Sequence, residues 1–154
     1  MKKNTIVKWL LVIFWMIVIF KFSNEPAVIS SEKSGSVINL LGSLGVNLDS
    51  YFGELANFIV RKAGHFTEYC ILYMLLYNAI AEKVSFKKCL ILSLVLTFLY
   101  ASSDEFHQTF VQGREGKFTD VLIDTLGGIF GLSIICLFRY IRNKSNKSRE
   151  TKIP

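Results

Sequence analysis

Four apolar runs, Ile6–Phe22, Phe66–Ala81, Cys89–Ala101 and Val121–Tyr140, are the strongest constraint on how this 154-residue chain folds. Each is long and carries few charges. A helix crossing a bilayer needs about 20 apolar residues, or about 17 at the short end. The first and last runs meet that length outright. The two middle runs reach it only if their polar ends, His65/Glu68 and Ser102–His107, are helical and lie near the interface. Mean hydropathy of +0.40 is well to the apolar side of a soluble domain. In hydrocarbon the backbone must satisfy its own hydrogen bonds, which a helix does within one segment. The pattern predicts an all-α integral membrane protein, a bundle of four transmembrane helices forming one domain.

The net charge of +6 is unevenly placed. Lys2, Lys3 and Lys8 precede or open the first span, Lys83, Lys87 and Lys88 lie between the second and third, and Arg139, Arg142, Lys144, Lys147, Arg149 and Lys152 end the chain. In a four-span arrangement, 12 of the 18 basic residues share one side. The positive-inside rule then predicts both termini to be cytoplasmic. Residues 1–142 form the membrane domain, and residues 143–154 form a basic cytoplasmic tail suited to anionic headgroups. The main expected partner is the lipid bilayer. No motif-bearing or aromatic-interleaved basic patch supports a nucleic-acid partner. The apolar run at the N-terminus continues to Phe22 without a small-residue cleavage pattern, so it reads as an uncleaved anchor. Cys70, Cys89 and Cys136 are odd in number, have no metal-site spacing and read as small buried hydrophobes.

Between the first two spans, Ser23–Ser36 is rich in serine and reads as loop. Asp49 is a plausible N-cap for an amphipathic helix with Phe52, Leu55, Ala56, Phe58 and Ile59 on one face. That helix either lies along the outer interface or forms a small cap on the bundle. Ala81–Lys88 is a short basic turn, making the second and third helices antiparallel neighbours. Gln108–Thr119, with Gly113 and Gly116, joins the third and fourth. Gly127-x-x-x-Gly131 in the last span fits a small-residue seam, read as packing within the bundle.

Ionisable groups are costly in or near hydrocarbon, so their placement is informative. His65, Glu68 and Tyr69 share one face at the outer start of the second helix. Asp104, Glu105, His107 and Gln108 end the third helix on the same side, and Asp120 and Asp124 begin the fourth. With Arg61, Lys62 and Arg114, three helix ends bring these groups to one extracytoplasmic level. A carboxylate near His65 or His107 orients the imidazole and raises its basicity, which suits a general base or a metal ligand. His65, Glu68, Asp104, His107 and Asp124 are therefore the candidate catalytic residues. Lys62, Tyr69, Glu105, Gln108, Arg114 and Asp120 are the candidate substrate-binding residues, with Arg114 as an anion clamp. The clustered carboxylates must share protons, pair with the cations or hold a divalent metal. The structural alternative is that the whole set only ties three helices together, with Asp120 as an N-cap and Arg61-Lys62 marking the membrane boundary.

The segments Arg61-Lys62-x-Gly64-His65-Phe66-x-Glu68-Tyr69, Ser103-Asp104-Glu105-Phe106-His107-Gln108-x-Phe110-Val111-x-Gly113-Arg114 and Asp120-Val121-x-x-Asp124-x-x-Gly127 resemble the VanZ-like family of bacterial membrane proteins. Gln112 stands where family members commonly have proline, which alters the outer turn but no charged position. The resemblance implies a small multi-span protein of the cell membrane, related to one associated with low-level resistance to teicoplanin, a lipid-tailed glycopeptide. A lipid-linked or cell-wall-related ligand is the substrate class it brings into view. It implies no particular reaction.

Overall fold

The computed structural model describes the backbone of residues 3–150 and the side chains of residues 4–146. Lys2 and Lys152 of the expected basic ends lie outside the described residues, as do the side chains of Lys3, Lys147 and Arg149. Six helices follow one another: α1 (Lys3–Ser23), α2 (Ala27–Ser43), α3 (Leu48–Phe52), α4 (Leu55–Ile80), α5 (Phe86–Gln108) and α6 (Phe118–Glu150). Among the described residues there is no strand.

Three helices are long and apolar enough to cross a membrane, over Asn4–Ser23, Phe86–Gln108 and Phe118–Asn146. Their outward faces carry large exposed apolar side chains, such as Phe14 on α1, Ile91 on α5 and Phe130 on α6. Helix α4 differs. At 26 residues it is roughly 39 Å long, but its first half carries Arg61, Lys62, His65 and Glu68. It packs against each of the other five helices. Tyr69, Leu72 and Tyr73 on it are fully buried. Protein therefore surrounds much of α4, which lowers the cost of its polar groups relative to a lipid-facing helix.

The bundle has two distinguishable ends. Lys8 on α1 pairs at 2.7 Å with Glu82, just past the end of α4. Arg139 on α6 lies 3.7 Å from the ring centre of Phe86, the first residue of α5. The start of α1 and the later part of α6 thus share an end with the turn between α4 and α5. The polar helix ends lie at the other.

Backbone fits backbone along the α4–α6 contact. A Cβ on Gly127 would overlap the Phe66 carbonyl, and one on Gly131 would sit 3.0 Å from the Cys70 carbonyl oxygen. Phe66 and Cys70 are one helical turn apart, as are the two glycines, so the expected seam lies within this chain. The three cysteines are free, with Cys70 and Cys89 buried.

Several local expectations need correction. Most of the Ser23–Ser36 segment is not a loop, since α2 begins at Ala27 directly after Pro26, whose ψ of 150° sets the entry. Inside α2 the Ser34 and Ser36 hydroxyls bond back to the carbonyls of Ser30 and Glu32, so serine fits the helix without facing an unmet donor. Asp49 is not an N-cap. Asn47 precedes α3, which ends after one turn at Gly53, where φ is +54°. The expected amphipathic face is split accordingly: Phe52 belongs to α3, while Leu55–Ile59 are the first turns of α4. Asp120 is not an N-cap either, because α6 starts two residues earlier at Phe118. The basic tail is a continuation of α6 as far as Glu150.

Candidate functional site

The end of α5 anchors the polar cluster. Asp104, Glu105 and Gln108 are all buried, at 3%, 4% and 4% exposure. The Ser23 hydroxyl at the end of α1 donates to Asp104 Oδ2 at 2.7 Å. Gln108 Nε2 donates to Asp104 Oδ2 at 3.2 Å and to Glu105 Oε1 at 3.0 Å. The backbone N–H of Lys117 donates to Glu105 Oε2 at 3.1 Å. That last bond holds the incoming loop against α5, and a Cβ on Gly116 would overlap the Glu105 carbonyl. Glycine is required there by close approach.

Arg114 ties four segments together. Its Nη1 donates to Gln108 Oε1 at 3.1 Å, its Nε to the Glu25 carbonyl at 2.8 Å and its Nη2 to the Phe22 carbonyl at 3.0 Å. Gly113, with φ of +72°, turns the chain so that Arg114 points back into the bundle. Beside it, the backbone N–H of Ala27 donates to the Gln112 carbonyl at 3.2 Å, joining the start of α2 to the loop before α6. Burial and the nearby Arg61 charge both lower the Arg114 pKa from its ordinary value, yet a guanidinium stays protonated at any physiological pH.

His65 is the centre of the second group. Its Nδ1 lies 3.9 Å from Asp124 Oδ1 and 4.0 Å from Glu68 Oε2. Both distances exceed a hydrogen bond, and Nδ1 has no hydrogen-bond partner although it is buried. Asp124, 1% exposed, also keeps an unpaired oxygen, Oδ2. The Tyr69 hydroxyl faces Asp104 without a hydrogen bond of ordinary geometry. Lys62 Nζ pairs with Asp120 Oδ2 at 2.5 Å. Native proteins leave few buried polar atoms without a partner, so several in one cluster call for an explanation.

Two cavities meet at this cluster. One, of about 370 Å³, is lined by Arg61, Lys62, His65, Gln108, Arg114 and Asp120, among others. The second, about 530 Å³, lies between α2 and α4 with mostly apolar walls. Arg61, His65, and Arg114 belong to both.

The sequence-derived candidates therefore fall into three sets. His65, Lys62, Gln108, Arg114 and Asp120 line the first cavity, and Glu68 lines the second. Asp104, Glu105, Asp124 and Tyr69 are buried behind these walls and line neither. His107 also lines neither cavity; its ring packs at a 42° tilt against Phe20, 4.7 Å between centroids, and its buried Nδ1 too has no hydrogen-bond partner. Among the described residues no group of three or more His, Cys, Asp or Glu side chains is arranged to hold a metal ion. Two further contributors are Ser23 and Trp15. Ser23 is the first polar residue after the α1 apolar run, a signal in plain view. Trp15, whose Nε1 donates to the Glu68 carbonyl at 2.9 Å, had no such signal.

This geometry can be set beside known proteins. A family model described as VanZ/LLP1 matches residues 8–139, most of the chain. The chain belongs to the VanZ-like family. Comparison with curated proteins and with solved structures returns no match. Family membership and the three long apolar helices mark this as a VanZ-like membrane protein. The matched span includes every residue of the polar cluster, from Ser23 to Asp124.

Proposed function

We propose that this VanZ-like protein acts at the cell envelope through an extracytoplasmic polar site centred on His65. In this reading α4 is a fourth span, both termini are cytoplasmic, residues 1–142 are the membrane domain and residues 143–154 a basic tail. The Lys8, Lys83, Lys87, Lys88, Arg139, Arg142 and Lys144 positions at the opposite end support that orientation through the positive-inside rule. The substrate is a lipid-linked or cell-wall-related molecule, and the consequence is altered susceptibility to lipoglycopeptides such as teicoplanin.

The observation that carries the reading is the position of His65, which lines both cavities with its Nδ1 unbonded between two carboxylates. His65 takes the role of base, with Asp124 and Glu68 orienting its ring. His107 packs against Phe20 and lines neither cavity, which makes it the weaker candidate for that role. Arg61 and Arg114 supply positive charge for an anionic group, and Asp104, Glu105 and Gln108 hold Arg114 in place. The test compares teicoplanin susceptibility of cells carrying wild type, His65→Ala, Glu68→Ala or Asp124→Asn at matched membrane abundance. Altered susceptibility in the variants is expected. An unchanged response in all three would remove the site from the function.

A second reading has an observation of its own. Every nitrogen-bearing arm of Arg114 already donates within the protein, and Asp104, Glu105 and Gln108 are largely satisfied internally. A non-catalytic binding or accessory module would use the network only to join helices. In that case the same substitutions lower thermal stability in proportion to any lost phenotype.

A further inference from the structure

The two cavities differ in chemistry but share a wall, and that juxtaposition identifies the kind of molecule that fills both. The smaller cavity contains four cationic side chains. Lys62 is neutralised by Asp120, and Lys117 by Glu115 at 2.8 Å. Among the described residues, neither Arg61 nor Arg114 lies within ion-pair distance of a carboxylate. Two guanidiniums with no carboxylate at ion-pair distance therefore stand on the shared wall beside His65; Arg114 keeps two of its five N–H groups after its bonds to Gln108, Glu25 and Phe22. The larger cavity leads away from them between α2 and α4, past Val37, Leu41, Ile59, Val60 and Ala63. Its other charged pair, Lys33 and Glu25, is already closed upon itself.

We propose that the site takes a single amphiphile, a phosphate ester of a long hydrocarbon chain, with its head between Arg61 and Arg114 and its chain along the α2–α4 groove. This rests on the functional reading above and specifies its substrate class. A planar guanidinium matches phosphate oxygens, and two of them match a dianion. Lysine is paired here and arginine is not, so the free positive charge is of the type that recognises phosphate. The groove leaves apolar surface without a protein partner directly beside that charge. A free phosphate would leave the groove unused, and a neutral long-chain alcohol would leave both guanidiniums without an anion. A lipid phosphate satisfies both.

The experiment uses the full-length protein in phosphatidylcholine nanodiscs, with binding of hexadecyl phosphate, butyl phosphate, inorganic phosphate and hexadecanol measured by competition. Hexadecyl phosphate is expected to bind at least about tenfold tighter than each of the other three. Arg61→Gln is expected to weaken it by about tenfold or more, since a charge-assisted contact is lost. Ala63→Trp places a ring in the groove from an exposed position, so it should remove the preference for hexadecyl over butyl phosphate. Because Ala63 is exposed, this variant also keeps the test informative if Arg61→Gln fails to fold. Equal binding of butyl and hexadecyl phosphate, or equal binding of hexadecanol, overturns the proposal, as does wild-type affinity in Ala63→Trp. If hexadecyl phosphate does not bind but His65→Ala still changes the teicoplanin response, the substrate class is wrong and the envelope function stands.

Discussion

The two ends of the bundle are held together by different physics. At the end formed by the start of α1, the turn after α4 and the later part of α6, charges stay at the surface. Lys8 pairs with a Glu82 side chain that is 56% exposed, and Arg139 stacks on Phe86. Inside that end the contacts are apolar or weakly polar, as with Leu76, Ala79 and Cys89. At the other end Asp104, Glu105 and Asp124 are buried, and their neighbours include several polar atoms without partners. The same helices run through both ends, so the contrast is not one of fold. A bundle that closes with apolar contacts at one end has no folding need for buried acids at the other. That difference favours a function for the polar end.

The largest expected effect tests whether the polar end depends on backbone contact. Gly127→Val forces a branched side chain into the Phe66 carbonyl, and should destabilise the protein by about 3 kcal/mol or more. Loss of the folded, monodisperse species from detergent extracts is the readout. Normal yield and melting temperature would mean that α6 can move away from α4. Next in size is Arg114→Ala, which removes three hydrogen bonds linking α5 to the segment between α1 and α2 and should cost about 2–4 kcal/mol. Arg114→Lys should recover little of that, because one ammonium cannot reach acceptors spread over three segments. Thermal unfolding in a fixed detergent measures both, and equal stability of the lysine variant would argue against the geometric role of the guanidinium. The smallest effect is expected at the opposite end. Lys8→Ala breaks a pair with a largely exposed partner and should change stability by less than about 1 kcal/mol. A loss as large as that of Arg114→Ala would erase the distinction between the ends.

Much of this architecture was legible in the sequence because the signals were long or strong. The apolar runs of α1 and α6 reach the length of a span, and most basic residues fall near the ends or in the turn between α4 and α5. The convergence of His65, Asp104 and Asp124 followed from helix order, since three helices must present those ends together. What stayed hidden depended on single bonds. The sequence of α2 reads largely as loop because serine usually competes with the helical backbone, whereas here Ser34 and Ser36 bond to carbonyls within it. In the sequence Arg114 reads as an anion clamp or as a partner for the clustered acids. Its acceptors include the carbonyls of Phe22 and Glu25, far away in sequence, and no side-chain pattern announces a carbonyl. The glycine pair was visible, but the identity of the facing helix was not.

Gly127 also acts as a ruler. Because it meets the Phe66 carbonyl with no side chain between, the axial alignment of α6 on α4 is set by two main chains. His65 precedes Phe66 by one residue and Asp124 precedes Gly127 by three, so the spacing between that histidine and that aspartate inherits the alignment. Side chains around the cavities can then change in size or charge without sliding one helix along the other. Relatives built on the same gauge would keep the histidine–aspartate spacing while altering what the adjoining walls accept.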